Sequence, residues 1–195
     1  MPESSDPYIY PGTDVLRNIP DIRDPQLLVA FEANATVARL AELDAAPLMG
    51  GFDNAHLRAI HKYIFQDVYS WAGEFRTVNI SKGGHLFGAA TFIEPALQDV
   101  LRKLFAEDYL RQTDPELFAR RAGFYLGEIN AVHPFREGNG RAQREFIRTL
   151  GAQTGFVIDW SRITRDQMIA GSRESFETGQ SHGLGRCVYS CLLGL

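Results

Sequence analysis

The short run H-P-F-R-E-G-N-G-R-A-Q-R, positions 133–144, gathers residues able to bind or move charge, among them His133, Glu137, Asn139, Arg141 and Arg144. Only the His133 imidazole in this run can take a proton near neutral pH. Glu137 offers one carboxylate, which suits a magnesium ion whose shell is completed by phosphate oxygens and water. Gly138 and Gly140 flank Asn139, and a helix starting there turns their N–H groups toward an anion. Arg141, Arg144 and Arg148 then recur at i, i+3 and i+7, on one side of the first turns. Basic residues at a helix start oppose its dipole, so the pattern asks for bound phosphate. A base, a metal-binding carboxylate and an anion cradle are the parts of phosphoryl or nucleotidyl transfer.

Each residue taken singly has an ordinary explanation. A histidine before proline commonly ends a helix, a lone arginine is commonly a solvated face, and a single glutamate is an ordinary loop acid. Their joint occurrence favours chemistry. Competing motifs fail: there is no G-x-x-x-x-G-K-[ST] loop and no H-E-x-x-H, and Gln143 stands where a dinucleotide fingerprint needs its third glycine.

The elements that must position this run are helical. Asp24 and Pro25 form a helix start, with Leu27, Leu28, Phe31 and Leu40 as its apolar face. A second helix begins at Asp53 and places Leu57, Ile60, Ile64 and Val68 at helical steps. Between Glu94 and Leu110, the positions Leu97, Val100, Leu101, Leu104 and Phe105 repeat the pattern behind Pro95. Thr113 and Glu116 fit a capping box for a helix whose Phe118, Ala122, Tyr125, Ile129 and Val132 lead up to His133, which makes that helix central. Pro134 stops it, and Phe135 is expected to anchor the following loop. The helix carrying the arginines runs from Asn139 to about Gly155. Only Thr77–Ile80 and His85–Phe87, around Ser81-Lys82-Gly83-Gly84, read as strand, so a hairpin leaning on the helical body is expected.

Length and composition bound the rest. The chain has 195 residues, 45% of them hydrophobic, enough for one domain with one sizeable core. A net charge of -4 gives no general attraction to nucleic acid or anionic membranes. The start MPESSDPYIYPG lacks the features of a secretion signal, and no run reaches the ~18 apolar residues of a membrane span. A cytoplasmic protein is expected, with neither direct nucleic-acid binding nor a membrane. Cys187 and Cys191, four apart in a C-terminal helix, suit buried thiols better than a disulfide.

The run at 133–144 matches the pattern H-x-F-x-[DE]-G-N-G-R-x-x-R and so resembles the Fic family. YPGTDVLRN, WAGEFRTVNISKGGHLF and the helix before the run resemble the corresponding parts of bacterial, toxin-like members. The resemblance implies the Fic fold: a mostly α helical bundle whose central helix-loop-helix carries the active site, with a short β-hairpin flap. One Fic domain would cover residues 1–195, with an N-terminal arm at 1–23, the flap at about 75–88 and the motif at 133–144. It also implies transfer of AMP from ATP to a hydroxyl side chain of a target protein, with Mg2+.

By that resemblance His133 is the base, and Glu137 holds magnesium between the α- and β-phosphates. Gly138, Asn139 and Gly140 bind those phosphates, Arg141 contacts the β-phosphate and Arg144 the γ-phosphate. The flap residues Thr77, Val78, Asn79 and Ile80 would align a target segment by strand addition, with Lys82 and Phe87 as its clamp. The helix from Met168 to Phe176 and the loop Gly179–Gly183 are expected to wall the nucleotide pocket. No inhibitory [ST]-x-x-x-E-[GN] motif occurs, since the only glutamate before Gly or Asn is Glu137 and His133 stands four before it. The resemblance then implies a separate antitoxin presenting a glutamate to Arg144, and targets among the DNA gyrase B and topoisomerase IV ATPase subunits. Two alternatives stand beside this: a phosphotransferase like the Doc branch, which carries lysine where Gly140 stands, and a nucleotide-binding docking module without turnover. A host-directed effector is a third alternative, less suited to a chain with no room for a translocation domain.

Overall fold

The computed structural model describes residues 6–82 and 85–194, with the side chains of Lys82 and His85 outside that description. Several helices begin where the sequence supplies a side-chain cap. The Asp24 carboxylate accepts from the Gln26 and Leu27 N–H groups, Pro25 takes the first helical position, and α1 runs Pro25–Ala45. Asp53 caps α2, Asn54–Phe65, by accepting the His56 N–H. A single 3-10 turn at Ala90–Phe92 leads into α3, Ile93–Ala106. The cap of α4, Pro115–Val132, is Asp114 rather than Thr113. Pro115 has no N–H to give and fits the first helical turn, which moves the cap to the residue before it; the Thr113 hydroxyl instead donates to the Leu110 carbonyl at 2.8 Å. After α5, Asn139–Thr154, come α6, Arg165–Thr178, and α7, His182–Cys191. Cys187 and Cys191 lie buried on α7 as free thiols.

Helix α4 is the centre. It packs against α3, α5, α6 and α7, while α2 packs on α1 and α5. Phe118, Ala122, Tyr125 and Ile129 are wholly buried along it, as their spacing predicts. Its contact with α7 is backbone against backbone: a Cβ added at Gly123 would stand 2.3 Å from the Gly185 nitrogen. Two expected core positions are at the surface. Leu27 is 64% exposed beside buried Leu28, and Phe105 is 65% exposed beside buried Leu104. Neighbours on a helix differ by about 100° in direction, so a narrow buried stripe takes one of each pair.

The hairpin lies within the expected span but is shorter than its sequence pattern. Strand β1, Ser81–Lys82, pairs antiparallel with β2, His85–Leu86, in the register Ser81 to Leu86 and Lys82 to His85. Of the expected strand Thr77–Ile80, only Ile80 joins the hairpin, its carbonyl accepting the Phe87 N–H at 3.2 Å, and the residues before it bond elsewhere. The Thr77 N–H donates to the Tyr8 hydroxyl at 3.1 Å. The Val78 carbonyl accepts from Arg76, and the Asn79 side chain accepts the Ala90 N–H at 2.9 Å. Residues 6–23 do not trail: Tyr8, Tyr10 and Val15 are buried, and Asp6 reaches across to Arg136 at 2.9 Å.

Candidate functional site

The signature run becomes the junction between α4 and α5. His133 closes α4 in the left-handed region, at φ 50°, with its N–H still on the Ile129 carbonyl. That reversal aims the chain back under itself. Phe135 is fully buried and stacks on the His61 ring at 3.8 Å, so the expected anchor is real. The Asn139 side chain closes the loop from the other end: its Oδ1 accepts the Phe135 N–H at 2.8 Å and its Nδ2 donates to the Phe135 carbonyl at 2.7 Å. Both polar ends of this buried amide are thus used inside the loop, and what Asn139 leaves for an anion is its main-chain N–H. Gly138 is the N-cap of α5, at φ 80°, and offers no side chain to the first turn. It must be glycine twice over, because a Cβ there would also sit 2.1 Å from Phe65 Cζ.

These constraints turn the α5 start, the Glu137 carboxylate and the His133 ring into one cleft of about 1300 Å³. His133 Nδ1 lies 3.2 Å from the Asn130 carbonyl. A carbonyl can only accept, so Nδ1 carries a proton, and in the neutral ring the lone pair is then on Nε2. The Glu137 carboxylate is 44% exposed, with Oε1 3.7 Å from Arg141. Arg144 reaches back over Gly140, where an added Cβ would lie 3.3 Å from its Nη1. Burial and the neighbouring Arg141 charge both push the Arg144 guanidinium below its ordinary range. Among the described residues no carboxylate forms an ion pair with it.

The Fic/DOC family model matches residues 51–150, which hold α2, the flap, α3, α4 and most of α5. The chain belongs to the Fic/DOC family. It is 43% identical over 173 residues to the protein adenylyltransferase VbhT of Bartonella schoenbuchensis, covering 89% of this chain but 36% of VbhT. It is 41% identical over 172 residues to the probable protein adenylyltransferase y4lH of Sinorhizobium fredii, covering 88% of each. A crystal structure of the BepC effector protein of Bartonella tribocorum with bound AMPPNP superposes with a TM-score of 0.90 at 27% identity, covering 96% of this chain and 97% of that one.

Several residues that serve this Fic site carry no signature in the sequence. Arg141 is held by α1: its Nη2 pairs with Glu32 at 2.6 Å, its Nη1 donates to Thr36 at 3.2 Å, and its guanidinium lies over the Phe65 ring. Tyr69 donates to the other Glu32 oxygen. Arg148, third in the arginine row, is clipped to Glu145 at 2.8 Å and to the Leu43 carbonyl at 2.7 Å. It braces α5 against α1. Arg76 is buried and spans the flap and the end of α4.

The flap residues divide. Ile80, Ser81 and Phe87 line the cleft, and the Phe87 ring stacks on His133 at 3.8 Å. Phe87 is therefore neither core nor a bare clamp, since it shields one face of the imidazole. Thr77, Val78 and Asn79 hold the flap to the body through one or two groups each, and a clamp by the Lys82 side chain lies outside the described residues. Met168 and Phe176 line the far wall of the cleft. The Gly179–Gly183 loop does not line it, and Ser181 is bonded to Ser175 at 2.8 Å.

His61 makes the site sensitive to acid. Its Nδ1 accepts the Gly73 N–H at 2.9 Å, so the proton sits on Nε2, which donates to the Glu137 carbonyl at 3.0 Å. Burial outweighs that bond and depresses its pKa from 6.5 to about 4. The unfolded chain takes the proton first, so the stability contributed by the neutral ring is whole above pH 6.5. It is lost as pH falls toward 4, in total about 3 kcal/mol. Denaturant midpoints across that window check this: His61→Gln should flatten the slope of unfolding free energy against pH by close to one proton.

Proposed function

We propose that the protein is a protein adenylyltransferase, moving AMP from ATP to a hydroxyl side chain of a target protein with release of pyrophosphate. The observation that carries this reading is the convergence of His133 Nε2, the Glu137 carboxylate, the start of α5 and Arg144 on one cleft. Relatives named protein adenylyltransferase share 37% to 43% identity over most of this chain, and the BepC structure was solved with AMPPNP. In this reading the N–H groups at Asn139 and Gly140, which no helical acceptor can reach, bind the α- and β-phosphates. Arg141 approaches the β-phosphate from its seat on Glu32, and Arg144 takes the γ-phosphate. His133 Nε2 accepts the proton of the incoming hydroxyl as its oxygen attacks the α-phosphorus and the bond to the bridging oxygen breaks.

Magnesium fits at Glu137. Its half-exposed carboxylate faces the cleft, and one carboxylate plus phosphate oxygens and water is a usual magnesium shell. Among the described residues no cluster of three His, Cys, Asp or Glu could hold a metal unaided, so the ion would bind with the nucleotide. When bound it would supply positive charge against the phosphates.

The finer reading follows the family resemblance. A separate antitoxin would set a glutamate against Arg144, whose guanidinium is poised for an anion. The ATPase subunits of DNA gyrase and topoisomerase IV are the leading target class, and the cytoplasm the site of action. No helix among the described residues is long and apolar enough to cross a membrane.

Gly140 favours adenylyl over phosphoryl transfer, because a lysine side chain there would crowd the space beside Arg144 Nη1. Incubating the protein with a bacterial lysate and ATP labelled at either the α- or the γ-phosphate tests the proposal. Label from the α position is expected in acceptor proteins. Label from the γ position alone would make the protein a phosphotransferase, and none from either a binding module.

A further inference from the structure

Arg76 is 2% exposed, yet among the described residues no carboxylate pairs with it. Its guanidinium donates only to main-chain carbonyls. Nε reaches the His133 carbonyl at 2.8 Å, and Nη2 the Val132 carbonyl at 3.2 Å. Nη1 reaches the Val78 carbonyl at 2.7 Å, and Nη2 also contacts the Gly88 carbonyl. Its own N–H donates to the Pro134 carbonyl at 2.9 Å. Three strands of chain meet on this one planar group: the limb entering the hairpin, the limb leaving it, and the end of α4. A buried cation without a counter-ion is costly unless local dipoles replace one. Here the replacement is the negative end of α4, whose last carbonyls lack helical donors.

The consequence lies one residue from each contact. Gly88 follows Phe87, whose ring stacks on the imidazole, and the Phe87 N–H donates to the Ile80 carbonyl at 3.2 Å at the hairpin base. The His133 carbonyl belongs to the residue carrying that imidazole. We propose that Arg76 is a positioning residue: its guanidinium fixes the distance between the flap that would align the target and the histidine that would deprotonate it. The proposal rests on the adenylyl-transfer reading. Only a rigid fork does this, since a guanidinium spans carbonyls in separate directions from one plane whereas an ammonium is a point donor. The α5 phosphate cradle makes no contact with Arg76, so nucleotide binding is independent of it.

Arg76→Lys keeps the charge and loses the fork. In this variant amide hydrogen exchange at Phe87 and Gly88 should quicken about 10-fold or more while α5 amides stay protected. AMP-PNP affinity should stay as in wild type, and transfer of α-labelled AMP into lysate proteins should fall about 10- to 100-fold. Unchanged flap exchange, or loss of AMP-PNP binding in step with transfer, would overturn the proposal, the second by showing a merely structural role. If wild type fails to transfer AMP but the flap still loosens, the latch stands and the reaction reading falls. Should the variant not fold, wild-type NMR decides: protection of the Arg76 Nε–H is expected to match that of the Phe87 and Gly88 amides. Flap amides opening while that proton stays protected would refute it.

Discussion

His133→Ala should abolish AMP transfer, lowering kcat by about 10³-fold or more, while AMP-PNP affinity stays within about two-fold of wild type. The structure supports both halves. The Asn130 carbonyl fixes the proton on Nδ1, and the Phe87 ring covers one face, so Nε2 is presented as a base in a set direction. Nothing in the α5 cradle depends on the imidazole: Asn139 shapes the loop through Phe135, and Gly138 N–H is held by Glu137 at 2.8 Å. Equilibrium titration of AMP-PNP beside transfer of α-labelled AMP checks both at once. Retained transfer would remove His133 from the chemistry, and lost binding would make it part of the nucleotide site. Because His133 adopts φ 50°, the fold could shift on substitution, and His133→Asn, a residue type that tolerates the left-handed region, controls for this.

The sequence was most legible where one residue type has one physical use. Asp24 with Pro25, Asp53 before an apolar row, and apolar residues at steps of three and four placed α1, α2 and α4 close to their true bounds. Glycines around Asn139 announced a backbone surface for an anion, and the structure adds that Gly138 is also demanded by the Phe65 ring. What stayed hidden depends on partners distant in the chain. Glu32, 109 residues before Arg141, looks like any surface acid of a polar helix until α1 is laid against α5. Arg76, between Phe75 and Thr77, belongs to no periodic pattern, and only the meeting of flap and α4 gives its donors acceptors. The hairpin falls where expected but its first strand is shorter: Thr77–Asn79 has strand-like residues, yet a polar group of each is bonded to Tyr8, Arg76 or Ala90. Asn139 shows a role the motif does not spell out: its side chain closes the loop through Phe135 and leaves the main-chain N–H for a ligand.

Arg144→Met should make the free protein more stable and the enzyme nearly inactive. In the structure this guanidinium is half-buried beside Arg141, without an ion-pair partner among the described residues, and both burial and that neighbour disfavour its charge. Replacing it by an apolar side chain of similar length removes the desolvation and the repulsion. A gain of about 1 kcal/mol follows, or roughly 2–4 °C in Tm for a chain of this size. The strain is held because a site that binds a polyphosphate must present uncompensated charge before the ligand arrives. Transfer should fall about 10²-fold, as when other donors to developing charge are lost. The nucleotide series locates the contact. Wild type should prefer ATP over ADP, and Arg144→Met should lose that preference with little change in ADP affinity, since the two differ by the γ-phosphate alone. A lowered Tm would show Arg144 to be a structural cation, and an intact preference for ATP would move γ-phosphate recognition to another residue. Glu32→Gln provides the contrast. It removes the charged one of Arg141's two α1 partners, so it should weaken ADP and ATP together and leave their ratio as it was.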